Sequence, residues 1–264
     1  MHTGGIRLQV TKIKVADVEL ELFDSEEGQP VLFLHGGEGF DRRQAFVGLL
    51  SKRCRMLAPS HPGFGNSDLP DWLDSVDDIA HLYLELLDRL SLDEVDMVGC
   101  SVGGWIAAEM ATKSPERIRR LVMIAPVGIK AGPSDKLDIP DIFAMPEAEL
   151  QKLLYHDPSR MQADRTKMSD AELSAMFRNR ETLALLTWEP WMHNPKLKRR
   201  LHRIAAPALF VRGESDGLVS QPYLEAYARF LPNARTVTIA AAGHQPHLEQ
   251  PAAFAATVLE FLGE

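Results

Sequence analysis

At 264 residues, with 45% hydrophobic and 25% charged side chains, the chain has the composition of a globular protein and is long enough to bury a sizeable core. A net charge of −8 without a basic patch argues against a nucleic-acid partner or an anionic membrane surface. The two cysteines, Cys54 and Cys100, are too few for a disulfide framework or a structural zinc site. With no apolar leader or spanning run visible, the cytoplasm is the expected setting.

Residues 6–23 alternate apolar and polar (Ile6, Leu8, Val10, then Val18, Leu20, Leu22), which predicts two antiparallel strands turning near Ala16–Asp17. PVLFLH at 30–35 is a solid apolar run ending in Gly36–Gly37, as expected of a buried parallel strand. A helix is expected over 41–51, a strand over 54–60, and a loop over the turn formers HPGFGNSD at 61–68. Val76, Ile79, Ala80, Tyr83, Leu86, Leu87 and Leu90 follow at helical spacing. DEVDMVGC then reads as a strand, 102–112 as a helix and 117–126 as a strand.

The rhythm changes over 127–203, where no strand pattern occurs and five of the ten Met residues fall. A helical stripe runs through Leu173, Met176, Phe177, Arg180, Leu183, Ala184 and Trp188. The KLKRR run at 196–200 reads as a solvated helix face. Strand character resumes at 207–216 and 234–240, with helices over 222–230 and 249–262. Alternating strands and helices predict an α/β core of residues 1–126 and 204–264, a mostly parallel sheet covered on both faces. Residues 127–203 are expected to form a helical cap over one end of that sheet.

Gly99–Cys100–Ser101–Val102–Gly103 fits G-x-S-x-G at a point where a strand meets a helix with no loop between. A nucleophile on such a turn sits in a strained backbone conformation, so the residues two before and two after it must be small. Gly99 and Gly103 meet that demand for Ser101. With Cys100 at the apex the flanks would be Val98 and Val102, both β-branched, so the spacing favours the serine. A serine hydroxyl needs a base, and the base needs an orienting carboxylate. The end of PALFVRGESD offers Glu214 and Asp216, and the end of ARTVTIA leads to Gly243–His244, with His247 as a rival three residues on.

The segments HGG at 35–37, HPGFGNSD at 61–68, GCSVGG at 99–104, GESDGLV at 213–219 and GHQPHLEQP at 243–251 resemble those of the α/β-hydrolases along nearly the full chain. The resemblance implies an eight-stranded, mostly parallel sheet, with Ser101 as nucleophile, Asp216 as acid and His244 as base. It also implies an oxyanion hole from the N–H groups of Gly37 and Val102, with His35 orienting that loop. The Val102 amide opens a helix, so it has no intrahelical acceptor and lies at the positive end of the dipole.

The expected activity is hydrolysis of a small or medium carboxylic ester through an acyl-enzyme, without metal or cofactor. C–C bond hydrolysis of a vinylogous diketone acid, lactonase or perhydrolase chemistry, and a ligand receptor on a hydrolase scaffold are the alternatives. Gln245 stands where the C–C hydrolases often carry an aromatic residue. Phe177 and Trp188 are candidates to line an acyl pocket, or else they pack the cap's own core. Arg180 interrupts the stripe and suits either a substrate carboxylate or a surface ion pair. The expected partner is a small molecule, with a homodimer left open.

Overall fold

The computed structural model describes residues 9–161 and 165–263; Ile6 and Leu8 of the expected first strand lie outside the described residues. β1 (Gln9–Val15) and β2 (Val18–Asp24) pair antiparallel through a turn at Ala16, whose φ is +50°. Then come β3 (Pro30–Leu34), α1 (Ala45–Leu50), β4 (Arg55–Pro59), α2 (Val76–Arg89), β5 (Val95–Cys100), α3 (Val102–Lys113) and β6 (Ile118–Ile124). A helical stretch with α4 (Glu147–Leu154), α5 (Pro158–Met161) and α6 (Asp170–Thr187) separates these from β7 (Ala208–Gly213), α7 (Gln221–Ala228) and β8 (Ala234–Ile239). The chain closes with α8 (Pro246–Glu249) and α9 (Pro251–Leu262).

The eight strands form one sheet in the order β1-β2-β4-β3-β5-β6-β7-β8, antiparallel only at β1–β2 and β2–β4. Strand alternation divides its core in two. On β5, Val95 and Met97 point to the face covered by α2 and α3, while Val98 and Cys100 point to the face where α1 and α9 bury Phe46 and Phe254. Every ordinary connection between the parallel strands puts their carboxyl ends on one edge, where ligand sites of open α/β sheets form. Asp96, fully buried, is ion-paired with Arg119 on β6, so the β5 backbone below the elbow carries no uncompensated charge.

Three local expectations need correction. α1 starts only at Ala45, because the Asp41 carboxylate takes the Arg43 N–H (2.9 Å) and its carbonyl takes the Gln44 N–H (3.1 Å), closing a turn instead. The expected last helix is broken at Gln250 (φ −130°, ψ 58°), since the following proline excludes the helical conformation there. KLKRR and the three residues after it form short 3₁₀ turns that bury Leu197 and Leu201.

The stripe on α6 is also displaced. The buried face carries Asn179, Thr182, Leu183, Leu186 and Thr187, while Phe177 and Trp188 are 62% and 57% exposed. The helix docks on polypeptide backbone, so polar side chains occupy its inner face. Asn179 Nδ2 donates to the Glu38 carbonyl (2.8 Å), its Oδ1 accepts from the Gly65 N–H (3.1 Å), and Thr182 Oγ1 donates to the Gly63 carbonyl (3.0 Å). A Ser169–Glu172 capping box starts the helix, a device that contributes about 1 kcal/mol.

Candidate active site

Ser101 joins β5 to α3 at φ 53°, ψ −114°, and its N–H donates to the Ile124 carbonyl of β6 at 2.9 Å. A non-glycine residue held there costs on the order of 1–3 kcal/mol, which the surrounding packing must overcome. That packing leaves no room for side chains on either flank. A methyl on Gly103 would strike the carbonyl oxygens of Leu34 and His35, and one on Gly99 would lie 2.5 Å from the Gly103 carbonyl oxygen. The glycines on both flanks of Ser101 are therefore required by close backbone contacts. Cys100 is buried among Val98 and its neighbours, and burial, with the charges of Glu38 and Asp216, pushes its thiol well up. A protonated, enclosed thiol is inert.

The loops after β7 and β8 bring Asp216 and His244 together. Asp216 Oδ2 lies 3.1 Å from His244 Nδ1, and Oδ1 accepts the N–H groups of Leu218 and Val219, each at 2.9 Å. Arg212 laces the same loop through the carbonyls of Val219, Glu214 and Asp216. Glu214 is exposed and turns to the Ala241 N–H at 3.3 Å, so the structure sets Asp216, not Glu214, against the imidazole. Burial drives the His244 imidazole down. The charge and hydrogen bond of Asp216, helped by the charge of Glu38, outweigh burial and the opposing Arg212, so the net shift is upward. With Nδ1–H committed to Asp216, Nε2 is the free basic nitrogen.

On the other side, among the described residues neither the Gly37 nor the Val102 N–H meets an acceptor in the protein. Gly36 touches the elbow: a Cβ built there would lie 3.6 Å from both Ser101 Cβ and Glu38 Oε2. The loop is braced by two stacked imidazoles with centroids 3.7 Å apart. The His61 N–H donates to His35 Nε2 (2.9 Å), His35 Nδ1 donates to the Gly36 carbonyl (2.7 Å), and His61 Nε2 donates to the His35 carbonyl (2.9 Å). Tyr83 OH completes the set at His61 Nδ1 (2.6 Å). The ring that rivalled His244, His247, is packed edge-on against Phe46 at 5.0 Å.

Burial holds these three brace and packing imidazoles neutral, His35 pushed down to about 4 and His247 to about 3, with His61 well below its usual value. The unfolded chain binds protons at such residues from about pH 6.5 downward. Their stabilisation is therefore complete above about pH 6.5 and shrinks through the acid range, by about 1.4 kcal/mol per pH unit for each group. His244, shifted upward, works in the opposite sense. Denaturant unfolding at pH 7.5 and pH 5 is expected to show a clearly less stable protein at pH 5. Equal midpoints would mean the imidazoles are not held neutral.

The structure treats the three candidate pocket residues differently. Arg180 Nη2 donates to the Ile142 carbonyl (3.1 Å) and its guanidinium lies over Phe143, 5.1 Å from the ring centroid. Trp188 joins the same group, 6.4 Å from Phe143 and 5.8 Å from Trp191. Phe177 faces solvent. Against the site itself stand residues the sequence reading passed over: Leu183, whose side chain lies 2.5 Å from a Cβ built on Gly37, together with Glu38, Tyr155 and Glu249. Glu38 and Glu249 lie in or beside segments quoted above but nothing there singles them out, and Leu183 and Tyr155 are brought in only by the docking of α6 and of the segment after α4. Next to His244, the Gln245 amide nitrogen is buried without a partner among the described residues. Among the described residues no cluster of His, Cys, Asp or Glu is placed to hold a metal ion, and no helix is long and apolar enough to cross a membrane.

A serine on a strained strand-to-helix turn, with a carboxylate–imidazole pair from the ends of later strands, is the arrangement of the α/β-hydrolase fold. The chain belongs to the alpha/beta hydrolase family, whose model matches residues 31–257, and it is a hydrolase. It is 27% identical over 271 residues to 2-hydroxymuconate semialdehyde hydrolase of Pseudomonas sp. (strain CF600), covering 96% of this chain and 93% of that one. It is 30% identical over 288 residues to a 2-hydroxy-6-oxononadienedioate/2-hydroxy-6-oxononatrienedioate hydrolase of Paraburkholderia phymatum, covering 100% and 98% of the two chains. A solved meta-cleavage product hydrolase from Pseudomonas fluorescens IP01 shares the fold, with a TM-score of 0.76 at 21% identity over 98% and 99% of the chains.

Proposed function

We propose that this chain is a serine hydrolase that cleaves a C–C bond next to a ketone in a conjugated diketone acid, using Ser101, His244 and Asp216. The mechanism is supported by the Asp216–His244 pair, by the strained backbone of Ser101 on the strand-to-helix turn, and by the Gly37 and Val102 N–H groups, which meet no acceptor among the described residues. The relatives' activities support the C–C class over the carboxylic ester that the sequence reading placed first. His244 Nε2 takes the Ser101 proton as Oγ adds to the carbonyl carbon. The oxyanion forms against the two N–H donors, each worth about 3 kcal/mol when well aimed. Collapse breaks the C–C bond; the carbon fragment leaves as a conjugated enolate and takes up the proton from His244. Water, deprotonated by His244, then releases the acyl group from Ser101.

Ester cleavage is the second reading, favoured by Gln245 at the position after the base, where the sequence departs from the aromatic residue common in C–C hydrolases. Turnover on a ring-fission diketone acid, measured beside chromogenic esters of graded acyl length, separates the two. A kcat/KM at least about tenfold higher on the diketone acid, a difference of 1.4 kcal/mol in barrier, is the expected result. A preference for any ester by that margin would sink the C–C assignment.

A further inference from the structure

The end of α4 and the residues that follow it are bonded to both loops that carry the acid and the base. The Leu154 carbonyl accepts the N–H of His244 itself (2.7 Å), and the Leu153 carbonyl accepts the Gly217 N–H beside Asp216 (2.9 Å). The His156 ring meets Ser215 Oγ through Nδ1 at 2.8 Å. One side chain closes this arrangement. Glu249, at the end of α8, accepts the N–H groups of His156 (2.9 Å) and Asp157 (3.1 Å) on Oε1 and the Gly243 N–H (2.6 Å) on Oε2. The last of these belongs to the residue immediately before the base. We infer that Glu249 is a positioning residue: its carboxylate locks the cap segment 153–157 to the β8 loop and so holds His244 in register with Asp216. This rests on the reading of Ser101, His244 and Asp216 given above.

The chemistry of the clamp makes it specific. Three N–H donors converge on one carboxylate, and charge-assisted bonds of this kind are about twice as strong as neutral ones. A glutamine there has one acceptor atom and one donor atom. It can satisfy the cap N–H groups or Gly243, but its amide NH₂ then faces a donor on the other side. An aspartate keeps the charge on a stem one methylene shorter and cannot span both partners. Gly243 itself tolerates no retreat, because a Cβ there would already collide with the Leu154 carbonyl. Loosening of the loop lengthens the Asp216–His244 contact. Asp216 and Glu38 hold the imidazole up against burial and Arg212, with His247 neutral beside it, so weakening the Asp216 contact lets its pKa fall.

The rate at which a fluorophosphonate labels Ser101, followed by intact mass across pH, reads this without knowledge of the substrate. Labelling of the wild-type protein is required by the reading of the site; its absence overturns that reading and this one with it. With the wild type labelled, Glu249→Gln is expected to react at least tenfold more slowly, and its acid limb to move to lower pH. Glu249→Asp is expected to fall between the two. Ser215→Ala, which removes only the His156 link, is expected to lose about threefold, roughly one neutral hydrogen bond. A wild-type rate and limb in Glu249→Gln overturns the proposal, and so does a slower rate with an unmoved limb, the mark of general loosening. Should Glu249→Gln give no cooperative melt, Glu249→Asp decides alone, and a wild-type rate and limb there overturn the proposal.

Discussion

Ser101→Ala is expected to lower kcat by roughly 10⁶-fold with the melting temperature close to that of the wild type. The loss is that large because the serine, imidazole and carboxylate act as one unit, so removing the nucleophile also idles the base. The fold should survive, because only Oγ is removed and the backbone of the elbow is held by the Ile124 carbonyl and by the glycines on either side. Cys100→Ala is the control. It removes a sulfur from the core on the α1/α9 face and is expected to cost roughly 1 kcal/mol of stability while leaving kcat within about threefold. Intact mass after phosphonate treatment gives the same answer by a second route, with one adduct on the wild type and none on Ser101→Ala. A Cys100→Ala protein without activity beside an active Ser101→Ala protein would overturn the assignment of the elbow.

Asp216→Asn should lower kcat by about 10⁴-fold, with little change in KM. Two fixed donors determine which way the new amide points. The N–H groups of Leu218 and Val219 both aim at Oδ1, so the asparagine oxygen stays there and its NH₂ turns toward His244 Nδ1. Nδ1 must then accept, the ring proton moves to Nε2, and the nitrogen that takes the Ser101 proton is already protonated. Glu214→Gln changes an exposed side chain bonded, among the described residues, to the Ala241 N–H, and its effect on kcat should stay within about twofold. Steady-state rates of the two variants side by side settle the acid. Near-native turnover in Asp216→Asn together with loss in Glu214→Gln would mean that the imidazole has the other partner.

The strands and the elbow were legible in the sequence because the interactions that make them are local or periodic. Apolar runs ending in glycine mark buried parallel strands, and β5 needs no information from elsewhere to end at Gly99–Cys100. The requirement for glycine at 99 and 103 is likewise local in origin, since the strained serine imposes it on its own neighbours. His244 and Asp216 were legible through their places at the ends of the strands that precede them. The helical stretch between β6 and β7 was not legible in the same way. Hydrophobic periodicity on α6 chose the face with Phe177 and Trp188, since it detects surfaces that pack against apolar side chains. The partners of α6 are instead the backbones of the loops at Gly37, Gly39 and Gly63, which call for Asn179 and Thr182.

The sequence by itself marked the strands through local and periodic patterning and the elbow at Ser101 through the steric need for glycine on both flanks, while the places of Asp216 and His244 came from the ends of later strands and from the resemblance to the α/β-hydrolases. Only the tertiary structure showed how Asp216, which the resemblance already favoured over Glu214, meets the imidazole, that Glu38 adds its charge to His244, and that Glu249 bonds both the segment after α4 and the Gly243 N–H. These depend on the few ångströms separating loops that lie far apart in the chain, from Glu38 at one strand end to Glu249 beyond the last. Such distances are fixed by how the helices between β6 and β7 pack on the sheet, and no pattern within a single segment encodes them.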